Sequence, residues 1–176
     1  ANHPDRFATL TLAGVHASFG SFSPEKQRAF VAARSKPLIE DGLEPADIAP
    51  GAIGRLVGPN ASEDARTRAI AAASRLHKQS YIKTVEATTQ FDREHVLAEI
   101  AVPTLVIGGE FDPLTPPAMT RKIAADIDGA EYHLIYDVGH LGNLENPVEF
   151  NRLVDQFLAR YRDRANIAAD PRILAG

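Results

Sequence analysis

The chain has 176 residues, 44% hydrophobic and 24% charged, the proportions of a folded globular chain rather than a disordered one. Its 19 Lys and Arg against 23 Asp and Glu leave a net charge of −4, with no basic surplus to neutralise nucleic-acid phosphates. No apolar run is long enough to span a bilayer, and the absence of cysteine excludes disulfides, thiolate nucleophiles and Cys-ligated metal.

In chain order, Ala1–Arg6 reads as a polar turn that leads at once into a strand, with Phe7, Leu10 and Leu12 apolar, threonines between them, and Gly14 ending it. A turn followed directly by a core strand reads either as the middle of a domain or as a plain N-terminal strand, and in both cases residues 1–22 are expected to be one strand and loop of the core. Residues 23–91 change to helical periodicity, interrupted by Pro37, Pro45, Pro50 and Pro59 and by Gly42, Gly51, Gly54 and Gly58. Pro24 opens a first helix that should end before Pro37. Ser62 is a good N-cap, with Glu63 and Asp64 in the first turn and Ala65, Ala69, Ala72, Ala73 and Leu76 as one apolar stripe. A further helix is expected from Gln79 to Thr89. Short helices with many breakers suggest a lid packed over something else.

From residue 92 to 161 the pattern becomes α/β. The continuous apolar run Val102–Gly109 predicts a strand covered on both faces. Pro117–Asp128 predicts a helix with Met119, Ile123, Ala124 and Ile127 inward, and Tyr132–Tyr136 a second strand. Pro147 starts a last helix on which Phe150, Leu153, Val154, Phe157, Leu158 and Tyr161 recur at three and four. Strand and helix in alternation with short connections imply right-handed crossovers and a parallel sheet. The tail, 162–176, has no periodicity and is expected to be loose.

Two loops leave the carboxyl ends of those strands, where open α/β sheets bind ligands. The first, Gly108–Pro117, carries Asp112 between flexible glycines and stiffening prolines. The second, Val138–Pro147, carries His140 with Gly139 and Gly142 close by. An Asp and a His at neighbouring strand ends form the orienting half of a nucleophile–base–acid set, in which the carboxylate fixes the imidazole tautomer and the imidazole takes the nucleophile's proton. Each also has a bland reading, Asp112 as a turn-former and His140 as a loop histidine bonded to backbone; together and in this order they favour catalysis.

The stretch Ile100–Pro113 resembles the strand and acid turn of the α/β-hydrolase superfamily, and Gly139–Pro147 resembles its histidine loop. With Thr115-Pro116-Pro117 between them, the pair is most similar to 3-oxoadipate enol-lactonases and related small esterases. Asn2–Arg6 and the strand after it resemble the segment that follows the nucleophile helix. The resemblance implies an α/β fold, the C-terminal part of a hydrolase with parallel strands and flanking helices, plus a helical lid over 23–91. By position it makes Asp112 the triad acid and His140 the triad base.

The superfamily's Gly-x-Ser-x-Gly elbow is absent: none of the chain's serines has the glycine spacing. The implied reading is a Ser-Asp-His hydrolase of small-molecule esters or lactones, needing no metal or organic cofactor. An N-terminal fragment or chain of the same hydrolase is the expected partner, supplying nucleophile and oxyanion hole and covering an apolar sheet edge left open here. Alternatives with the same fold are an epoxide hydrolase, a dehalogenase or a carbon–carbon bond hydrolase; a non-catalytic ligand-binding domain is a third. Neither nucleic acid nor membrane is expected as a partner, and the expected location is cytoplasmic.

Phe111, Leu141 and Leu114 are candidates to line a substrate pocket, although Leu114 could instead pack its own loop. Glu110 is an alternative acid. Arg66 and Arg68 could hold a substrate carboxylate or form a solvent face. His16 could face the site. Asn143 and Glu145 more naturally tie the histidine loop to the following helix. His3 and His133 are read as structural, His77 and His95 as solvated on helices, with no metal-ligand spacing among them.

Overall fold

The computed structural model describes residues 6–20 and 22–162. The Asn2–Asp5 turn with His3, and residues 163–176 of the tail, lie outside the described residues.

Among the described residues three strands form a parallel sheet in the order β1 (Leu10–Ala13), β2 (Thr104–Gly109), β3 (Glu131–Ile135). Leu10 is opposite Thr104, and Leu105 is opposite Glu131. All six residues of β2 are buried because both faces of the sheet are covered. Alternation sends Leu105 and Ile107 to one face, where Ile135, Val138, Leu153 and Phe157 meet them beneath helix α7 (Pro147–Arg160). Val106 points the other way, into a cluster with Leu97, Ile123, Ala124 and Ile127 around helix α5 (Pro117–Ala125). Each such fully buried side chain contributes about 1.5–3 kcal/mol of transfer free energy.

β1 is shorter than its hydrophobic pattern predicts, and Phe7 lies outside it, 58% exposed. The Leu10 N–H donates to the Pro103 carbonyl at 2.9 Å, and Pro103 has no N–H with which to extend the ladder towards Phe7. Tyr136 follows the end of β3 and is 67% exposed. Leu76 and Leu158, expected inward, are both largely exposed. The first lies past the last turn of its helix, and the second borders a surface groove beside Ala8 and Thr9.

Four helices lie between β1 and β2: α1 (Pro24–Ile39), α2 (Pro45–Leu56), α3 (Glu63–Ala73) and α4 (Lys78–Thr89). α1 runs through Pro37 instead of stopping before it. The proline falls in the last turn and forfeits one backbone bond, while the Glu40 N–H still reaches the Lys36 carbonyl at 2.8 Å and Leu38 is buried. α2 forms despite Pro50, Gly51 and Gly54. Pro45 sits in its first turn, Glu44 and Asp47 cap each other's backbone, and Ala49 and Ile53 bury one face at i, i+4 spacing. Ser62 caps α3 by accepting from the Ala65 N–H at 3.1 Å. α4 is followed by a 3₁₀ turn, Glu94–Glu99. Among the described residues no helix is long and apolar enough to cross a membrane.

Candidate active site

Asp112 sits at the carboxyl end of β2, 3% exposed, on a loop that folds around its carboxylate. Oδ1 accepts from the N–H groups of Leu114 at 2.9 Å and Thr115 at 3.0 Å. Oδ2 accepts from the Thr115 hydroxyl and from Nδ1 of His140, the latter at 2.8 Å. Burial works to raise the carboxyl pKa, but the hydrogen bonds from His140 and Thr115 outweigh it and hold the group at about 2. An ionised carboxylate only accepts, so the proton shared with His140 belongs to Nδ1 and the Nε2 lone pair stays free.

His140 follows β3 on a loop held from three sides. Its N–H donates to the Leu56 carbonyl, at the end of α2, at 2.7 Å. The Glu145 carboxylate accepts from the N–H of Gly139 at 3.0 Å, of Leu141 at 3.1 Å and of Gly58 at 2.6 Å, so one side chain ties the loop to the α2–α3 connection. Gly14, at the end of β1 with φ +56°, supplies the third side. A Cβ there would stand 3.2 Å from Cε1 of the His140 ring, so only glycine lets the strand end pass this close.

The other expected site residues separate. Leu114 lines a cavity of ≈ 890 Å³ walled by α1, α2 and α4 on one side and by Pro113, Leu114 and His140 on the other. Phe111 is 47% exposed and outside that wall; its N–H donates to the Val138 carbonyl at 2.8 Å. Leu141 precedes the short helix α6 (Gly142–Glu145) and also lies outside the wall. Glu110 does not meet His140 and accepts instead from the Asp137 N–H at 2.9 Å, steadying a turn in which Asp137 has φ 61°. Arg66 spends its guanidinium on the carbonyls of Ala61 and Gly58, and Arg68 pairs with Asp64 on an exposed face. Asn143 borders a smaller cavity of ≈ 280 Å³ behind His140.

His16 packs edge-on against Phe19, with ring centroids 4.7 Å apart, and its Nδ1 is buried without a hydrogen-bond partner among the described residues. Burial pushes its pKa down; the Ser18 backbone acts against this and the charge of nearby His140 adds to it. His77 caps α4, accepting from the Ser80 N–H, and is not on the helix itself. His133 is in β3 and half-exposed; His95 is exposed. Among the described residues no cluster of three His, Asp or Glu side chains could hold a metal ion.

Three contributors escape the sequence reading. Thr115 had a visible signal: a loop aspartate forms an Asx turn with the N–H two residues on, here Leu114, and that turn brings the hydroxyl of the next residue to the same carboxylate. Gly14 reads in sequence only as a strand terminator. The Leu56 carbonyl belongs to a helix that the breakers obscured.

A family profile described as the alpha/beta hydrolase fold matches residues 1–147. Among curated proteins, a 2-hydroxy-6-oxononadienedioate/2-hydroxy-6-oxononatrienedioate hydrolase of Klebsiella pneumoniae is 39% identical over 86 residues. That match covers 48% of this chain and 30% of the relative, so the shared stretch is under a third of the relative's length. The enol-lactonase of Burkholderia xenovorans superposes with TM-score 0.72 at 25% identity, covering 89% of this chain and 60% of that one. A thermophilic esterase of Thermogutta terrifontis has TM-score 0.78 at 22% identity, over 90% and 58% respectively, and shows likeness of fold. With the matched profile over most of its length and a parallel sheet carrying an Asp–His pair at its carboxyl edge, the chain belongs to the α/β-hydrolase fold family.

Proposed function

We propose that this chain supplies the acid and the base of a Ser-Asp-His hydrolase acting on ester or lactone bonds. The observation that carries the reading is the 2.8 Å hydrogen bond between His140 Nδ1 and a buried, ionised Asp112 that nothing else neutralises. A turn-forming aspartate has no need of a histidine, and a histidine bonded only to backbone has no need of the aspartate.

In the proposed reaction a serine outside this sequence attacks the carbonyl carbon, and His140 Nε2 takes the hydroxyl proton as the bond forms. Asp112 stabilises the resulting imidazolium and keeps the ring oriented. The tetrahedral intermediate expels the alkoxide, which takes the proton from His140. Water then repeats the sequence on the acyl-serine and releases the acid, returning His140 to its starting tautomer. The α1–α4 helices form the lid, and the ≈ 890 Å³ cavity beneath it accommodates the acyl or lactone portion. The serine and oxyanion hole come from an N-terminal segment of the same hydrolase that pairs with β1. That strand is an edge of the sheet, with β2 on its other side.

The test is co-expression with the N-terminal half of an enol-lactonase-like hydrolase, followed by labelling with a fluorophosphonate probe. Labelling of a serine in the N-terminal half, lost in His140→Ala, supports the proposal. Assembly without labelling sinks it and leaves a binding domain. A second reading is favoured by the curated relatives: the same Asp–His pair acting on a 2-hydroxy-6-oxo-dienedioate. Turnover of such an acid with no turnover of esters or lactones selects it.

A further inference from the structure

Pro37, which α1 accommodates near its end, stands in the wall of the ≈ 890 Å³ cavity together with Ala33, one turn before it. A helical carbonyl ordinarily accepts from the N–H four residues on. Proline has none, so the Ala33 carbonyl is left without that donor. The neighbouring side chains of α1 do not replace it. The Arg34 guanidinium donates to the Phe30 carbonyl at 3.2 Å, and the Ser35 hydroxyl donates to the Val31 carbonyl at 2.9 Å. One backbone acceptor is therefore open where α1 meets the cavity.

From α4 the same wall receives Thr84 and Thr88, one turn apart on one face. Each hydroxyl lies 2.8 Å from a carbonyl of its own helix, that of Ser80 for Thr84 and that of Thr84 for Thr88. A carbonyl oxygen only accepts, so both hydroxyl protons are committed to the backbone, and what either oxygen offers a ligand is a lone pair. A ligand group that meets these acceptors must donate. Among the described residues lining the cavity there is no carboxylate, while Arg34 and Arg55 are present, so a cationic donor such as an ammonium is disfavoured. The donor is neutral. A hydroxyl suits the wall better than an N–H, because after giving its proton it can also accept from Tyr81 or an arginine.

Building on the hydrolase reading, we propose that the Ala33 carbonyl and the Thr84 and Thr88 hydroxyl oxygens form an acceptor site for a substrate hydroxyl, so that the preferred esters or lactones are hydroxylated on the part that lies under the lid. The site recognises that hydroxyl, and the Asp112–His140 pair acts on the carbonyl.

The test separates binding from catalysis. The full chain, ¹⁵N-labelled, is titrated with benzyl alcohol, with benzyl methyl ether, which cannot donate, and with benzylamine, which is protonated at neutral pH. Each Kd is read from backbone amide shifts. The alcohol is expected to bind about three- to tenfold more tightly than the ether, and the amine most weakly. Thr84→Val and Thr88→Val each delete one acceptor at nearly constant shape. Each should weaken the alcohol about two- to tenfold and leave the ether within about twofold. Pro37→Ala returns an N–H to the Ala33 carbonyl. It should raise the urea midpoint yet lower alcohol affinity by a similar factor, a combination that loss of folding cannot imitate. Thr89→Val is the control: Thr89 donates to the Glu86 carbonyl at 2.8 Å in the same manner but lines a separate surface groove, so its loss should change neither affinity. Equal binding of alcohol and ether, tightest binding of the amine, an alcohol affinity unchanged in Pro37→Ala or in both cavity valine variants, or an equal loss in Thr89→Val overturns the proposal. In the complemented enzyme, this binding preference without ester or lactone hydrolysis refutes the reaction and not the acceptor site; hydrolysis without the preference refutes only the site.

Discussion

Asp112 is the most heavily hydrogen-bonded carboxylate of the site, and its behaviour follows from counting donors. Two backbone N–H groups, one hydroxyl and one imidazole converge on its two oxygens. Its folded pKa of about 2 lies below the ordinary aspartate value near 3.9. A depressed carboxyl pKa gives stability that is complete above the unfolded pKa and is lost as pH falls through the folded one. Asp112 should therefore contribute roughly 2 kcal/mol above pH 4, disappearing towards pH 2, and Asp112→Asn should flatten that part of the stability–pH curve in urea titrations. Thr115→Val removes the hydroxyl donor and should cost about 1–2 kcal/mol, moving the acid limb of the same curve upward. In a complemented enzyme Asp112→Asn should also reduce kcat by several orders of magnitude with little change in KM, since the wrong imidazole tautomer then faces the nucleophile.

At the scale of elements, the histidine loop is held by one carboxylate and a set of close backbone approaches. Glu145→Gln replaces one of its acceptor oxygens with a donor group that faces N–H donors. It should cost about 1–3 kcal/mol, measured by chemical denaturation. Gly139→Ala should do at least as much harm, because its Cβ would stand 2.7 Å from the Gly58 nitrogen in a backbone packed against backbone. β2, the helices capped by Ser62 and opened by Pro147, and the strand-end positions of Asp112 and His140 were legible in sequence. They depend on local signals: a continuous apolar run, a cap, a proline at a first turn, a 3.6-residue period. Failures arose where tertiary packing overrides a local breaker. Pro37 and Pro50 each forfeit one hydrogen bond, and Leu38, Ala49 and Ile53 gain more by burial. Phe111, expected to line a pocket, is 47% exposed and is not among the residues lining the ≈ 890 Å³ cavity, because adjacent loop residues diverge.

Across the whole molecule, the placement of β1 decides what can join the sheet. The Leu10 and Gly14 N–H groups point to β2, so the ladder's alternation turns those of Thr11 and Ala13 to the other edge. Thr11→Pro removes an outward donor and should leave the three-strand sheet formed, as seen by circular dichroism, while abolishing co-purification with a complementing N-terminal half. Retained co-purification would mean that the partner docks elsewhere. One corner of the helical layer is stitched to the loop that follows β3. The Leu56 carbonyl holds the backbone of His140, and Gly58 shares Glu145 with the loop behind it. A hinge at the junction of α2 and α3 would therefore pull on the backbone of His140, whose ring is paired with Asp112. The segments before α1 and after α4 are tied to each other as well, the Phe19 N–H donating to the Phe91 carbonyl at 3.0 Å and the Arg93 N–H to the Ala17 carbonyl at 2.8 Å, so the four-helix layer leaves and rejoins the sheet through a single paired neck.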